Sequence, residues 1–446
     1  MTKSLYSLVT IILTCTLYGF GQLEISSNGR YLVDRDQAPF FWLGDTGWGL
    51  FQVPNRKEIR RYLKSRAKQG FTVVHASACH LNPFIKPDLQ NSDGDMAFIN
   101  VNLLKPLITK GNNPKNELEY DYWDHIEFVI REARKHKIYI NFLPLFNMAE
   151  DDGYNLIDLN NAESYGKFLG ERFKNHPNLI WCMGGDVLAD NDLRKSIWNQ
   201  LAAGILEGLD AQGKDEVLMT FHVRGGHSSS EYFQNTPWLD FHMLQTWDKY
   251  TSIYDRVTED YLKSPTKPIL HGEGAYEDGP EYPTKPITPH IIRKQFYWAS
   301  FAGGMHTYGN SNVWSFGSNK DYISKPWKDA LKSEGAKNLS IARKIMESVQ
   351  WYALSPCLDI FKEGQGSAKD LNVAMCSKGH ERLVVYCAAA CSIKLDLTKN
   401  SKGGYKSAYW INPINGKHLR IKNRNLTSTQ HFSVPSNWED GILLVE

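Results

Sequence analysis

The strongest constraint on this chain is an alternation. Between residues 40 and 308, short apolar runs give way to longer stretches of helical periodicity, and eight strand-like runs are met in all. The runs are Phe40–Asp45, Phe71–His75, Ile138–Leu145, Asn178–Asp186, Glu216–His222, Trp238–Gln245, Pro268–Glu273 and Gly303–Tyr308. The helical stretches between them are Arg56–Gln69, closed by Gly70 where a C-cap belongs, then Tyr122–Lys137, Ala162–Asn175, Asp192–Leu209, Tyr250–Lys263 and Pro289–Phe301. Strands that read as continuous apolar runs are buried on both faces, and helical crossovers return the chain so that successive strands lie parallel. Eight such runs predict a (β/α)8 TIM barrel. A doubly wound sheet would have fewer strands and an early phosphate loop, and no G-x-G-x-x-G follows the first run.

After Trp314 the pattern changes. Lys325–Gln350 reads as one long helix, and from Pro356 the chain breaks into short alternating stretches, Arg382–Cys387, Ser392–Leu397, Ser407–Ile411 and Gly441–Val445. Turn signals separate them at Ser377–Gly379, Asn400–Gly404 and Asn412–Gly416, which predicts a small antiparallel β-sandwich. The expected organisation is a signal peptide over residues 1–21, a catalytic barrel over 22–350 and a C-terminal β-sandwich domain over 351–446. No repeat, low-complexity tract or long linker intervenes, so the two domains should pack closely.

The leader has Lys3 as its positive region, a nearly uncharged run over Leu5–Phe20, and small residues in Tyr18-Gly-Phe-Gly21 before Gln22. It is too short for a membrane span, and no integral membrane segment is expected. Export to the periplasm or outside the cell follows. Anchoring at the cell surface through Cys15 is an alternative, for which Leu13-Thr14-Cys15 is a weak match because Thr14 is bulky. The other six cysteines show no C-x-x-C spacing. Most read as free buried thiols, and Cys387 and Cys391 could pair only across a turn. Lys and Arg number 51 against 49 Asp and Glu, with no basic cluster, so nucleic acid is not an expected partner. The 13 Trp, 22 Tyr and 20 Phe suit a carbohydrate binder, although a large core uses them too. A monomer is expected.

In a barrel of this kind the chemistry sits at the C-terminal ends of the strands. Asp186 ends the fourth run and Glu273 the seventh, so the two carboxyls can converge across the mouth as the pair a glycosidase needs. Asp45, Trp48, His75, Asn141, His222, Gln245, Trp247, Tyr276, His306 and Tyr308 lie at or just beyond strand ends on the same face and are the candidate substrate-binding residues. Leaving so many polar strand ends buried without partners would cost about 1–3 kcal/mol each. His75, His222 and His306 come from separate strands with no H-x-H or H-x-x-x-H pair, so hydrogen bonding to sugar hydroxyls is favoured over metal ligation, and neither metal nor cofactor is expected. Glu277 and Asp278 are rival carboxylates that read as exposed loop charges. Trp181 and Trp247 are the candidate apolar walls beside Asp186, and Tyr308, Asn310 and Trp314 could wall a subsite or simply join the domains.

Six motifs carry a resemblance: Gly44-Asp-Thr-Gly-Trp48, Trp181-Cys-Met-Gly-Gly-Asp186, Thr220-Phe-His-Val-Arg-Gly-Gly-His-Ser-Ser229, Trp238-Leu-Asp-Phe-His242, His271-Gly-Glu-Gly-Ala-Tyr-Glu277 and Gly304-Met-His-Thr-Tyr-Gly-Asn310. In this order they resemble the apiosidase-type glycoside hydrolases, whose barrel is followed by a collagen-binding-type β domain. The resemblance spans roughly residues 23–446. It implies a barrel that hydrolyses glycosidic bonds in plant cell-wall pectin side chains by a retaining mechanism, with Asp186 as acid/base and Glu273 as nucleophile. The chain departs from the family pattern at Val187, often Arg, at Gly274, where the family has Pro, and at Thr246-Trp247-Asp248, where a small-polar-His sequence is usual. These positions flank the pair, so apiose itself does not carry over as the sugar.

The expected function is therefore hydrolysis of a plant or algal cell-wall polysaccharide or oligosaccharide. A non-catalytic barrel that binds polysaccharide or matrix protein is the alternative. A polysaccharide lyase fits less well, because Arg224 is the only strand-end arginine available to neutralise a uronate.

Overall fold

The computed structural model describes residues 21–81, 85, 89–146, 156–210, 217–422 and 426–446. The leader expected over 1–21, Cys15 included, lies outside the described residues except for Gly21, as does Glu216 at the start of the fifth expected strand.

Eight parallel strands form the central sheet: β1 (Leu43–Thr46), β2 (Val73–Ser77), β3 (Tyr139–Leu143), β4 (Leu179–Val187), β5 (Met219–Val223), β6 (His242–Gln245), β7 (Ile269–Glu273) and β8 (Met305–Tyr308). Parallel ladders link them in the order β5-β4-β3-β2-β1-β8-β7-β6. The two ends of that order meet through individual bonds. The Asp240 amide donates to the Met219 carbonyl at 2.9 Å, and the Met219 amide to the Asp240 carboxylate at 2.7 Å. The Thr220 hydroxyl donates to the Phe241 carbonyl at 2.8 Å. The result is a nearly closed barrel with TIM-like architecture.

The outer helices are α1 (Arg56–Lys68), α2 (Tyr122–Lys135), α3 (Ala162–Phe173), α4 (Asp192–Gly208), α5 (Ile253–Tyr261), α6 (Pro289–Phe301) and α7 (Glu334–Ser348). Local chemistry sets their starts. Asn55 and Glu58 form a reciprocal capping box on α1, Asp121 and Asp124 do the same on α2, and α6 opens with Pro289 behind a Thr288 cap. The pair α3–α4 packs backbone to backbone. A Cβ on Gly204 would lie 2.0 Å from the Glu163 carbonyl, and one on Gly166 would lie 2.3 Å from the Leu201 carbonyl, so only glycine permits this approach. Among the described residues, no helix is long and apolar enough to cross a membrane.

Three expectations are corrected. Phe40 belongs to a three-stranded antiparallel sheet with Glu24–Ile25 and Leu32–Val33, and β1 starts only at Leu43. The sixth strand begins at His242, because Thr236 and Leu239 close a turn before it. The long helix expected over Lys325–Gln350 is two helices, Trp327–Ala330 and α7, separated by Ser333 in an extended conformation (φ −55°, ψ 149°).

The C-terminal region is antiparallel. A six-stranded sheet runs Leu354–Pro356, Val373–Ser377, Leu383–Cys387, Gly441–Val445, Ala408–Ile411, His418–Arg420 in spatial order, and a second sheet holds Phe361–Glu363, Ser392–Leu395 and Gln430–Ser433. Alternate residues of the larger sheet serve two cores. Leu383, Val385, Cys387, Leu443 and Val445 pack with Ile393, Leu395 and Phe432 of the smaller sheet. Val384, Tyr386, Ile442 and Leu444 belong to the same core as α6 and α7 of the barrel, and Tyr386 stacks on Tyr297 at 4.4 Å. A buried ion pair pins this contact: Arg293 of α6 donates from Nε to Asp440 at 2.8 Å and from Nη1 to Asn338 at 2.7 Å. Of the cysteines read as mostly free, Cys357 and Cys376 form a disulfide, while Cys79, Cys182, Cys387 and Cys391 are free.

Candidate active site

The motif Gly184-Gly-Asp186 ends β4 in a way that a regular strand cannot. Gly184 (φ +87°), Gly185 (φ +124°) and Asp186 (φ +63°) all adopt positive φ, and the ladder to β5 slips between Gly184 and Val187. A Cβ on Gly184 would stand 2.3 Å from the His222 carbonyl, so glycine is required there. This bulge turns the Asp186 carboxyl into the mouth of the barrel. Glu273, the last residue of β7, reaches the same cleft.

His222 of β5 joins the two. Its Nδ1 accepts the backbone N–H of Asp186 at 3.0 Å, and its Nε2 lies 3.0 Å from Oε2 of Glu273. An Nδ1 that accepts a backbone N–H carries no proton, so the imidazole proton sits on Nε2 and is donated to Glu273. The ring is fully buried and is held edge-on by Trp48 at 5.0 Å. Trp48 also donates from Nε1 to the Tyr276 hydroxyl at 3.0 Å, and Tyr276 in turn hydrogen-bonds Glu273. Glu273 is thus held by two partners that are themselves held.

Asp186 is set apart electrostatically. Burial first, and then the Glu273 charge, push its carboxyl up to about 6, against weaker opposing contributions from His222, Arg224 and a hydrogen bond with Gln245. A carboxyl so raised can carry a proton near neutral pH, which an acid catalyst requires.

The cleft around the pair has a cavity volume of about 360 Å³, and its aromatic walls include Trp48, Phe146, Trp247, Tyr276, Tyr282 and Trp314. His80 stacks flat on Phe146 at 4.3 Å, and burial holds it down at about 3, so it presents a neutral ring. A second hollow of about 300 Å³ shares Asp186 and Trp247 with this cleft and is also lined by Arg224, Gln245 and Lys249.

The expected residues therefore divide into three groups. Asp186, Glu273, Trp48, His222, Gln245, Trp247 and Tyr276 meet at the cleft. His75, Asn141 and His306 lie fully or almost fully buried inside the barrel: His75 bonds Thr307 at 3.0 Å, Asn141 sits beside Cys182, and His306 pairs with His271 at 2.9 Å. Asp45 and Tyr308 point elsewhere. Asp45 is buried against Arg66 (2.6 Å) and Tyr62, and the Tyr308 hydroxyl donates to Glu277 at 2.6 Å. Glu277, expected to be exposed, is 3% exposed because it also accepts the Gly335 amide. Of the two expected walls only Trp247 lines the cleft; Trp181 is packed against Phe142 in the core.

Sequence reasoning missed His80, Phe146, Glu281, Tyr282, Asn319 and Tyr322. For His80 and Phe146 a signal existed, since each stands three residues beyond its strand and the two form a parallel bridge that extends β2 and β3. The others lie on loops with no periodicity to place them. Among the described residues, His290, Glu439 and Asp440 are grouped closely enough to hold a metal ion, but they lie at the contact between α6 and the C-terminal sheet, where Arg293 already binds both acids.

The family described as "Apiosidase-like, catalytic domain" matches residues 26–353, and "Putative collagen-binding domain of a collagenase" matches residues 359–446. A solved structure titled glycoside hydrolase is 29% identical, with a TM-score of 0.82 over 96% of this chain and 97% of that one. A glycoside hydrolase family 5 protein from Bacteroides vulgatus ATCC 8482 is also 29% identical, with a TM-score of 0.82 over 96% of this chain and 92% of that one. No curated protein matches the sequence.

Proposed function

This chain belongs to the apiosidase-like family of glycoside hydrolases, and on that premise we propose that it is an exported enzyme that cleaves a glycosidic bond in a plant or algal cell-wall glycan, a pectin side chain in the first instance, with retention of configuration. The observation that carries the reading is the His222 bridge, which ties the backbone of one carboxyl residue to the side chain of the other and gives the two carboxyls different environments.

In the first step the carboxylate of Glu273 attacks the anomeric carbon as the glycosidic C–O bond breaks, and Asp186 gives its proton to the departing oxygen. The product is a glycosyl ester on Glu273. Asp186, now ionised, takes a proton from water, whose oxygen displaces Glu273 from the same face that the leaving group left. The Nε2–H of His222 and the Tyr276 hydroxyl orient Glu273 for attack and stabilise it as the leaving carboxylate in the second step. Aromatic faces of Trp48, Trp247 and Tyr282 offer stacking surfaces for the C–H faces of the sugar. Release of the Asp186 proton predicts that kcat/KM falls on the alkaline side of about pH 6.

The working form in this reading is a monomer that acts in the periplasm or outside the cell after loss of residues 1–21, with the barrel over 22–350 and the sandwich over 351–446. Mass spectrometry of the chain recovered from its native host tests the cleavage: an N-terminus at Gln22 is expected, and retention of residues 1–21 would refute export by this route. The decisive assay is a screen of pectic and algal oligosaccharides with wild type and Glu273→Gln, followed by proton NMR of the first anomer released. Turnover by wild type alone, with the starting configuration retained, is expected. Equal turnover by the variant would end the assignment, and first release of the opposite anomer would end the retaining mechanism.

A further inference from the structure

Among the described residues, and apart from Oε1 of Gln245 in the adjoining hollow, two polar atoms on the walls of the cleft have no hydrogen-bond partner. They are Oε2 of Glu281 and Nδ2 of Asn319, both buried. The residues come from different loops, one after β7 and one after β8, yet both line the cleft that holds Asp186 and Glu273.

Each is fixed through its other polar atom. The Ser311 hydroxyl donates to Oε1 of Glu281. Oδ1 of Asn319 accepts the Asp321 amide at 3.2 Å, which also settles which end of the Asn319 side chain is the NH2. Neither free end can turn to a new partner without breaking these bonds. The loop that carries Glu281 is pinned as well, because the Glu277 amide donates to Gly309 at 2.9 Å and the Ser311 amide returns to Glu277 at 3.1 Å. A fixed, buried acceptor and a fixed, buried donor left open on the walls of one cleft call for an explanation, and a ligand that bonds both is one that fits them.

The chemistry of the two ends is complementary to one functional group. A carboxylate oxygen only accepts and an amide NH2 only donates, whereas a hydroxyl does both. Tyr282, Trp314 and Tyr322, in the same cleft wall, add flat faces of the kind that sugars stack on. Glu281 is not a second candidate nucleophile, since the bonds from His222 and Tyr276 go to Glu273.

We propose that Glu281 and Asn319 read a free hydroxyl of the sugar whose anomeric carbon faces Glu273, and so select a sugar that is neither deoxygenated nor O-substituted at that position. The proposal rests on the glycosidase reading.

The test uses the full chain carrying Glu273→Gln, so that binding is seen without turnover, and reads tryptophan fluorescence, since Trp48, Trp247 and Trp314 line the cleft. The probes are free D-apiose, D-xylose, L-arabinose, D-galactose and L-rhamnose, with the mono-deoxy and mono-O-methyl derivatives of the sugar that binds most tightly. Adding Glu281→Gln, which keeps the shape and the Ser311 bond, should weaken that sugar by about 10- to 100-fold, the size of a hydrogen bond to a charged group. One mono-deoxy derivative should be bound weakly and equally with or without the change. Glu281→Asp, which keeps the charge and shortens the reach, should show the same pattern. Unchanged binding, or an equal loss for the sugar and every derivative, would overturn the proposal, as would the absence of binding by any probe. The glycosidase reading is judged separately, by turnover in wild type.

Discussion

Replacing Asp186 by Asn should remove activity and at the same time stabilise the folded protein at neutral pH. The carboxyl is raised from 3.8 to about 6 in the fold, so the native state holds the Asp186 proton more tightly than the unfolded chain does. For an acid shifted upward, the stabilising contribution is complete below the unfolded value and is lost as pH rises through the folded value. A displacement of about two units corresponds to about 3 kcal/mol, of which roughly 1 kcal/mol has gone by pH 4.5 and nearly all by pH 8. Asn keeps the shape and tolerates the positive φ at this position, and it carries no charge to desolvate. Asp186→Asn should therefore be more stable than wild type by about 1 kcal/mol at pH 4.5 and about 3 kcal/mol at pH 8. For a chain of this length the second figure is roughly a 3 °C rise in Tm. Differential scanning fluorimetry of both proteins at the two pH values checks it, because titrating groups that do not interact with Asp186 cancel in the comparison. A difference that does not grow with pH, or a variant less stable than wild type at pH 8, would refute burial and the Glu273 charge as the source of the shift.

Three further outcomes are expected. His222→Ala leaves the Asp186 amide and Oε2 of Glu273 without their shared partner, so kcat should drop by about 10- to 100-fold, as for loss of 1–3 kcal/mol of oriented hydrogen bonding; steady-state kinetics showing only a KM change would contradict a positioning role. Arg293→Met strands the buried Asp440 charge and should cost about 3–5 kcal/mol, read as a lower urea midpoint for the whole chain, whereas a Tyr386 environment unchanged by near-UV circular dichroism would count against the clasp. The pair Cys357→Ser and Cys376→Ser opens a loop with a sequence separation of 19 and should lower stability by about 3 kcal/mol in thermal melts while leaving turnover intact.

The barrel was legible because its strands carry the same signal along their whole length. Leu270, Ile140 and Phe142 need an apolar environment on either face, and the helical stretches between them announce their starts with Asn55, Asp121 and Pro289. Asp186 and Glu273 were legible because a carboxyl at the end of such a run has few other uses. The sorting of the remaining polar residues was not, and Asp45 shows why. Its position at a strand end is the same as that of a binding residue, but Arg66, 21 residues later on α1, swings beneath the sheet to pair with it. Whether a strand-end side chain faces the mouth or the helix layer depends on the phase of the strand, and one residue of slip reverses it. Tyr308 follows the same rule, its hydroxyl going to Glu277, whereas Phe40 differs because its dipeptide pairs with Leu32–Val33 in a separate antiparallel sheet. The partners of Glu281 and Asn319 are set by two loops meeting in space, and no local pattern records that meeting.

The six-stranded C-terminal sheet gives one face to the smaller sheet and the other to α6 and α7. A module that shares its hydrophobic core with the catalytic barrel cannot work as a tethered accessory that roams on a leash and raises local concentration. Whatever the C-terminal module touches on the far side of its smaller sheet would be presented to the cleft at a fixed angle and distance, as by a gauge with set jaws. Cutting the chain near residue 353 would expose Tyr297 and leave Arg293 without Asp440, and the fragment obtained would be a damaged barrel rather than a minimal enzyme.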